Sequence, residues 1–137
     1  MILHRLSPEQ ATVAWPLMEP WLKQLADRFP DDWPIETVIE GIQEEHLASF
    51  IIWEEKERQC YGLVLTAIMT KASNRKALRI HAVGKDHKSW VSLILDLEEY
   101  GRKTGCDLIE VVGRSGWERS LKDYDKERVA LLSKELR

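Results

Sequence analysis

Cysteine is scarce in this sequence: Cys60 and Cys106 are the only two among 137 residues. They form no CxxC pair, and no histidine lies at metal-ligand spacing around them, which argues against a structural zinc site. Two widely separated cysteines also provide no disulfide framework. We therefore expect two reduced, partly buried thiols, no bound metal and a cytoplasmic protein.

Long apolar runs are absent as well. No segment reaches the roughly 18 apolar residues of a membrane-spanning helix, and residues 1–5 lack the basic start and long apolar region of a signal peptide. Hydrophobic residues at 44% and charged residues at 31% are ordinary globular values, with no low-complexity tract. These features argue against disordered and fibrous architectures and predict one soluble domain over residues 1–137, with no membrane partner.

Charge of one sign is also limited, because the net charge is only −3, which argues against specific affinity for nucleic acid. The distribution is nevertheless uneven. Residues 31–57 hold nine carboxylates against one lysine, whereas residues 71–90 hold six cations against one aspartate. Two solvated faces of opposite sign explain this pattern, and an anion site in the basic stretch is the alternative. The complementarity also predicts self-association or binding in a larger protein assembly.

The first third of the chain predicts one strand followed by helices. Ile2 to Leu6 is a short apolar strand, and Ser7-Pro8-Glu9-Gln10 combines a serine N-cap with proline and glutamine at the first and third helical positions. Prolines further along predict that this helix is kinked or divided into two short ones ending before Pro30. Another amphipathic helix is predicted after Pro34.

The middle and end of the chain change to strand patterns and back. Residues 47–53, 61–70 and 77–83 are rich in β-branched, aromatic and aliphatic side chains and predict three antiparallel strands joined by hairpins. Apolar spacing predicts a helix from Trp90 to Tyr100, with Gly105 as its stop. Leu108 to Val112 reads as a strand. The tail, residues 127–136, fits a helix or a strand, with periodicity slightly favouring the helix.

The predicted order is strand, two helices, three strands, a long helix, a strand, a short helix near Ser115 and a tail. This order resembles the GNAT N-acyltransferase superfamily over nearly the whole chain. The resemblance implies an α/β (α+β) fold with a mixed, mostly antiparallel central sheet flanked by helices, in the order β-α-α-β-β-β-α-β-α-β. It also implies that the tail is a strand pairing with Leu108 to Val112.

Two C-terminal segments carry a narrower resemblance. Leu108 to Tyr124 and Glu127 to Leu136 resemble the small GNAT-like proteins encoded among the virion-assembly genes of tailed bacteriophages. This resemblance implies that the protein acts in the host cytoplasm or the virion.

The turn after the fourth strand, which binds the cofactor in GNAT enzymes, departs from the family pattern in this sequence. GNAT enzymes carry (Gln/Arg)-x-x-Gly-x-(Gly/Ala) after the fourth strand, which lets backbone N–H groups approach the pyrophosphate of acetyl-CoA. The corresponding segment assigns Val83, Lys85, Lys88 and Ser89 to cofactor binding, but Lys88 and Trp90 occupy the small-residue positions. We therefore expect no tight cofactor binding, with a dissociation constant for acetyl-CoA no better than about millimolar.

The chemistry of a GNAT-type transfer also needs a base that takes a proton from the acceptor amine, often through water. His81 and Glu110 lie within predicted central strands and are the candidate bases, with a structural hydrogen bond or a solvated position as the alternative for each. The tyrosine that many family members use to protonate the leaving thiolate has no counterpart, because its position falls near Arg119. Tyr124 is assigned to the core.

Aromatic residues mark one further region. Trp15, Trp21 and Trp33 cluster in the proline-rich segment that in this fold forms the acceptor side. Core packing is the first expectation for them, and a protein interface is the alternative.

Two classes of function are consistent with these sequence features. The bulky residues in the cofactor-binding turn and the missing catalytic tyrosine favour a catalytically silent GNAT-fold protein. Such a protein would act as a binding or assembly component of the bacteriophage type. The alternative is an active N-acetyltransferase that moves an acetyl group from acetyl-CoA to a primary amine of a small molecule or protein.

Overall fold

A computed structural model describes residues 1–28, 34–85, 91–112, 121–125 and 134–136 of the chain. The described strands are β1 (Ile2–Leu6), β2 (Ala48–Glu54), β3 (Gln59–Thr70), β4 (Lys76–Gly84) and β5 (Leu108–Val112). The described helices are α1 (Pro8–Val13), α2 (Trp15–Arg28), α3 (Ile35–Gln43) and α4 (Ile94–Lys103).

The start of α1 confirms the capping motif read from the sequence. The Ser7 side chain accepts a hydrogen bond from the Gln10 backbone N–H at 3.1 Å, and the Gln10 side chain accepts one from the Ser7 N–H at 2.9 Å. The proline-rich region that follows forms two helices, which are divided at Ala14. Pro16 lies in the first turn of α2, where its missing N–H costs nothing, and Pro20 lies inside α2 without ending it.

The five strands form one sheet in the order β1-β2-β3-β4-β5. The first four strands pair antiparallel, whereas β4 and β5 pair parallel. This mixed, mostly antiparallel sheet flanked by helices confirms the predicted fold class and both predicted hairpins. The predicted helix stop is confirmed as well, since Gly105 follows the α4 cap with a φ of 80°.

Each face of the sheet carries its own apolar core. On the face that we call the α2 face, α1 to α3 pack on strand residues such as Leu63, Leu65 and Val83. On the opposite face, the α4 face, Leu97 packs on residues such as Ile80. Side chains alternate between faces along a strand, so His81 belongs to the α2 face with Val83.

Several sequence-based predictions fall partly or wholly outside the described residues: the turn at 86–90, the short helix near Ser115 and the pairing of the tail with β5. Both cysteines are free and half-buried, as predicted. Within the described ranges, no helix combines the length and the apolar character that crossing a membrane requires.

Gly62 should be the position in β3 that is least tolerant of a side chain. A Cβ added there would lie 2.4 Å from the Val83 carbonyl oxygen and 2.8 Å from the Gly84 Cα, both backbone atoms of the neighbouring strand. We expect Gly62→Ala to lower the free energy of unfolding by about 1 to 3 kcal/mol, measured in urea.

Gly101→Ala is the matched control, because a Cβ at this helical glycine meets the Leu78 side chain at an ordinary 3.4 Å. It should raise the free energy of unfolding by roughly 0.5 to 1 kcal/mol, since alanine favours a helix interior. Equal effects of the two substitutions would contradict this account of the β3–β4 contact.

Candidate functional site

The carboxyl ends of β4 and β5 lie side by side, and they form the one parallel pair among the described strands. The pairing ends where His81 faces Val112, while β4 continues to Gly84. No described strand pairs with Ala82 to Gly84 on the β5 side. Ligands of α/β sheets bind beyond the carboxyl ends of parallel strands. We therefore take His81 to Lys85 with Val112, called the β4–β5 edge below, as the candidate site.

His81 occupies the last paired position of β4 on the α2 face, between Leu65 of β3 and Val112 of β5. It is only 7% exposed, so the structure rules out the solvated position that the sequence left open. A histidine takes up and releases protons near neutral pH, which makes it the usual general base of enzymes. A catalytic role for His81 stays an untested prediction.

Glu110 of β5 is held by two cations. Its carboxylate accepts from the Arg79 guanidinium at 3.2 Å and contacts the Lys71 ammonium. Burial alone raises the pKa of the Glu110 carboxyl, but the hydrogen bond from Lys71 and the charge and hydrogen bonds of Arg79 outweigh it, so the pKa is lowered. A carboxylate stabilised in this way is a weak base. These contacts favour a structural ion pair, and a catalytic role for Glu110 stays an untested prediction.

His81 and Glu110 lie on the same face of neighbouring strands, but they are not paired with each other. Glu110 faces Arg79, one pairing step on that face away from the row of His81 and Val112. The structure therefore brings the two candidate bases into one region and gives them different surroundings.

The residues assigned to the cofactor divide into three cases. The Val83 side chain is buried in the α2-face core, and its backbone groups face Leu63 of β3, because this pair has the same parity as the hydrogen-bonded pair of Lys85 and Tyr61. Cofactor binding by Val83 stays an untested prediction. Lys85 is exposed at the end of β4, with its Nζ 4.6 Å from the centre of the Tyr61 ring. Lys88 and Ser89 lie outside the described residues, and so does Trp90.

Tyr61 is a residue of this site that sequence reasoning missed. The β2–β3 register shifts so that Ile52 faces Gly62 while Trp53 faces Cys60, which leaves Tyr61 as the extra residue of a β-bulge. The Tyr61 carbonyl accepts the Lys85 N–H at 2.7 Å, and its ring lies under the ammonium group. Such a cation–π contact fixes a flexible lysine at the end of β4. The bulge arises from pairing between strands, so no local sequence signal marks it.

The tryptophans of the predicted interface cluster are described in part. Trp15 and Trp21 are half-buried and pack against the α2-face core, whereas Trp33 lies outside the described residues. Cys60 packs on the same core, and its burial raises the pKa of the thiol, although hydrogen bonds to Gly62 and Trp21 oppose the shift. The Cys60 thiol is therefore protonated at neutral pH and is a poor nucleophile. An interface role for the tryptophans stays a prediction.

Tyr124 packs against the α4-face core and donates a hydrogen bond from its hydroxyl to Glu98 Oε2 at 2.6 Å. Burial and the neighbouring Glu98 raise the pKa of Tyr124. This placement agrees with the assignment of Tyr124 to the core. Within the described ranges, no group of three or more histidine, cysteine, aspartate or glutamate side chains is arranged to hold a metal ion.

The sequence matches no protein-family model, and a search of curated proteins also gives no match. Solved structures are more informative. The chain is similar to a probable acetyltransferase with a TM-score of 0.68 at 8% identity, over 100% of this chain and 99% of that one. It is similar to an aminoglycoside acetyltransferase from an uncultured soil metagenomic sample, solved with sisomicin, with a TM-score of 0.67 at 12% identity, over 99% and 96% of the two chains.

Glucosamine-6-phosphate N-acetyltransferase from Arabidopsis thaliana is also similar, with a TM-score of 0.64 at 13% identity, over 99% of this chain and 98% of that one. At these identities the likeness establishes the fold and nothing finer. The GNAT-like fold that the sequence resemblance implies is confirmed, and the bacteriophage resemblance stays a prediction.

The Glu110 ion pairs should give the stability a specific pH dependence. Because the pKa of Glu110 is lower in the folded protein than its ordinary value of 4.5, the ion pairs stabilise the fold above that pH and lose their effect as pH falls through the folded pKa. We expect Glu110→Gln to lower the free energy of unfolding at pH 7 by about 1 kcal/mol, and the difference to vanish in acid.

Glu99→Gln is the control, since Glu99 lies 3.6 Å from Arg102 on an exposed helix surface. Urea unfolding between neutral and acidic pH should show no comparable pH-dependent difference for this variant. A Glu110→Gln effect that persists unchanged in acid would contradict the ion-pair assignment.

Proposed function

We propose that this chain is a GNAT-type N-acyltransferase that moves an acetyl group from acetyl-CoA to a primary amine. The observation that carries the proposal is the buried His81 at the carboxyl end of the parallel strand pair, where the described pairing of β4 with β5 stops. The similarity of the fold to acetyltransferases of different names supports the same reaction class. Fold alone does not decide function, so the proposal depends on the chemistry of this edge.

The described residues fit a coenzyme A thioester in two respects. Ala82 and Gly84 lie past the end of the described β5 pairing, and their backbone groups face the β5 side, because the alternate residues Val83 and Lys85 direct theirs to β3. Lys85 adds a cation directly after the strand, held in place by Tyr61. Acetyl-CoA, when bound, supplies the activated acetyl group. The chain itself supplies the backbone edge, the cation and the base.

His81 takes the proton that the acceptor nitrogen loses when it bonds to the acetyl carbon, and the C–S bond breaks so that coenzyme A leaves as a thiolate, which takes up a proton from water. The imidazole is nearly enclosed. We place the proton transfer at the β4–β5 edge, either directly from the acceptor nitrogen or through one water molecule. Glu110 is less suited to the task because Arg79 and Lys71 stabilise its charged form. We assign Glu110 to holding β5 against β4.

The β2–β3 hairpin lies at the same end of the sheet as the β4–β5 edge, because Glu54 faces Gln59 and Gly62 faces Gly84. It carries Glu54, Glu55 and Glu57 beside Lys56 and Arg58, and the Glu54 carboxylate lies 3.6 Å from the N-terminal ammonium. With Lys85 at the same end, charges of both signs nearly balance there. We therefore name the acceptor only as a primary amine of a small molecule or a protein.

A catalytically silent binding or assembly protein is the second candidate. The observation in its favour is Lys88 and Trp90 at the positions where GNAT enzymes carry small residues. Bulky side chains there obstruct the backbone approach to pyrophosphate. On this alternative the protein shares the fold of the acetyltransferases and binds acetyl-CoA too weakly for turnover.

Acetyl transfer measured with sisomicin, glucosamine 6-phosphate and a peptide with a free amino terminus tests the proposal. We expect turnover of at least one acceptor, a weak KM for acetyl-CoA, and a loss of about 100-fold in kcat for His81→Gln. KM for acetyl-CoA should change little, because the imidazole acts on the acceptor side.

His4→Gln, an exposed histidine of β1 on the same face, is the matched control and should keep full activity. Thermal unfolding checks that His81→Gln folds. A loss of activity in Glu110→Gln with His81→Gln unaffected would transfer the base to Glu110. No turnover, together with no binding of acetyl-CoA at millimolar concentration, would contradict the proposal and favour the silent alternative.

A further inference from the structure

The end of β3 away from the β4–β5 edge carries a segment of strand without a described neighbour on one side. β2 begins at Ala48, which faces Thr66, whereas β3 runs on to Thr70. Residues 67–70 therefore pair with β4 alone among the described strands. We call this segment the β3 free edge. An open strand edge presents unpaired backbone groups and is a template for another strand.

The side chains of the β3 free edge are apolar where a protective charge would be expected. Ile68 is 48% exposed and Met69 is 40% exposed, on opposite faces of the sheet. Natural edge strands are commonly blocked by lysine, proline or a bulge, and none of these occurs in residues 67–70. This segment is therefore suited to strand pairing.

A cavity of about 370 Å³ lies beside this edge, between the α3–β2 connection and β3. Its lining includes His46 and Leu47 from the connection, Thr66 and Ile68 from β3, and Tyr100 from α4. The cavity leaves space for an incoming strand beside Ile68 of the free edge.

The charges at the two ends of the free edge favour a second copy of the chain as the partner. Glu44 and Glu45 lie at the Ala67 end, in the α3–β2 connection, where Arg5 also lines the cavity. The basic turn of Arg75 and Lys76 lies at the Thr70 end, where the Asp107 carboxylate accepts a hydrogen bond from the Lys76 N–H. An antiparallel copy of the same edge reverses this order, so that each basic turn meets an acidic connection. The arrangement is self-complementary under a two-fold axis.

We propose that two copies of this chain pair antiparallel through their β3 free edges, forming a sheet that continues across the dimer. A two-fold axis perpendicular to the sheet places one residue opposite itself. Pairing centred on Met69 sets Ile68 opposite Thr70 of the other copy and Ala67 opposite its Lys71. This register uses the whole free edge and avoids the segment that β2 already occupies.

Sedimentation over a range of protein concentrations tests the proposal. We expect a concentration-dependent dimer with a dissociation constant of about 10 to 100 micromolar, because the paired segment is short. Met69→Lys places two like charges opposite each other and should weaken the dimer at least tenfold. Leu95→Lys, which replaces an exposed apolar residue of α4, is the matched control and should leave it unchanged.

Cysteine cross-linking tests the register independently. Met69→Cys should form a disulfide-linked dimer on mild oxidation, because a residue on the two-fold axis meets its own copy. Leu95→Cys and the unsubstituted protein, with its half-buried Cys60 and Cys106, should not. A monomer at all concentrations would overturn the proposal, and so would a dimer that resists Met69→Lys but is lost in Trp21→Ala.

Discussion

The parallel pairing of β4 with β5 is the constraint on which the candidate site depends. Antiparallel strands are joined by short turns, but a parallel neighbour requires the chain to cross back along the sheet, and α4 lies in that crossing. The crossing brings two carboxyl ends together at one edge. The described pairing stops at His81 and Val112, so no described strand pairs with the last residues of β4 on the β5 side.

The two candidate bases, His81 and Glu110, differ in the side chains that surround them. Both lie on the α2 face, and both were plausible on chemical grounds. Glu110 faces Arg79 across the parallel pair and also meets Lys71, which stabilise its charge and reduce its basicity. His81 lies two positions along β4, between Leu65 and Val112, at the last described pair with β5. The ion pairs of Glu110 join the two strands, and the role of His81 in proton transfer is our proposal.

Sequence reasoning succeeded where the physical cause is local. The Ser7 to Gln10 capping box, the hairpin strands and the stop at Gly105 depend on neighbouring residues, and each was predicted. It failed where the cause is pairing between distant segments. The bulge at Tyr61 depends on the β2–β3 register, and the ion pairs of Glu110 join residues 31 positions apart or more.

The same distinction applies to the surface. The alternation of acidic and basic stretches was visible in the sequence and predicted self-association. The charge pattern did not locate the free edge of β3. That edge exists because β2 begins at Ala48, which faces Thr66, whereas β3 runs on to Thr70. The sequence directed attention to tryptophans, of which Trp15 and Trp21 pack against the α2-face core.

The location of donor binding is the central claim, and nuclear magnetic resonance tests it most directly, since it detects even millimolar affinity. Titration of ¹⁵N-labelled protein with acetyl-CoA should shift the backbone amides of Val83, Gly84 and Lys85 first. The amides of the β3 free edge should stay unchanged, since they lie at the other end of the sheet. No shifts at millimolar acetyl-CoA, or shifts confined to residues away from the β4–β5 edge, would contradict the account.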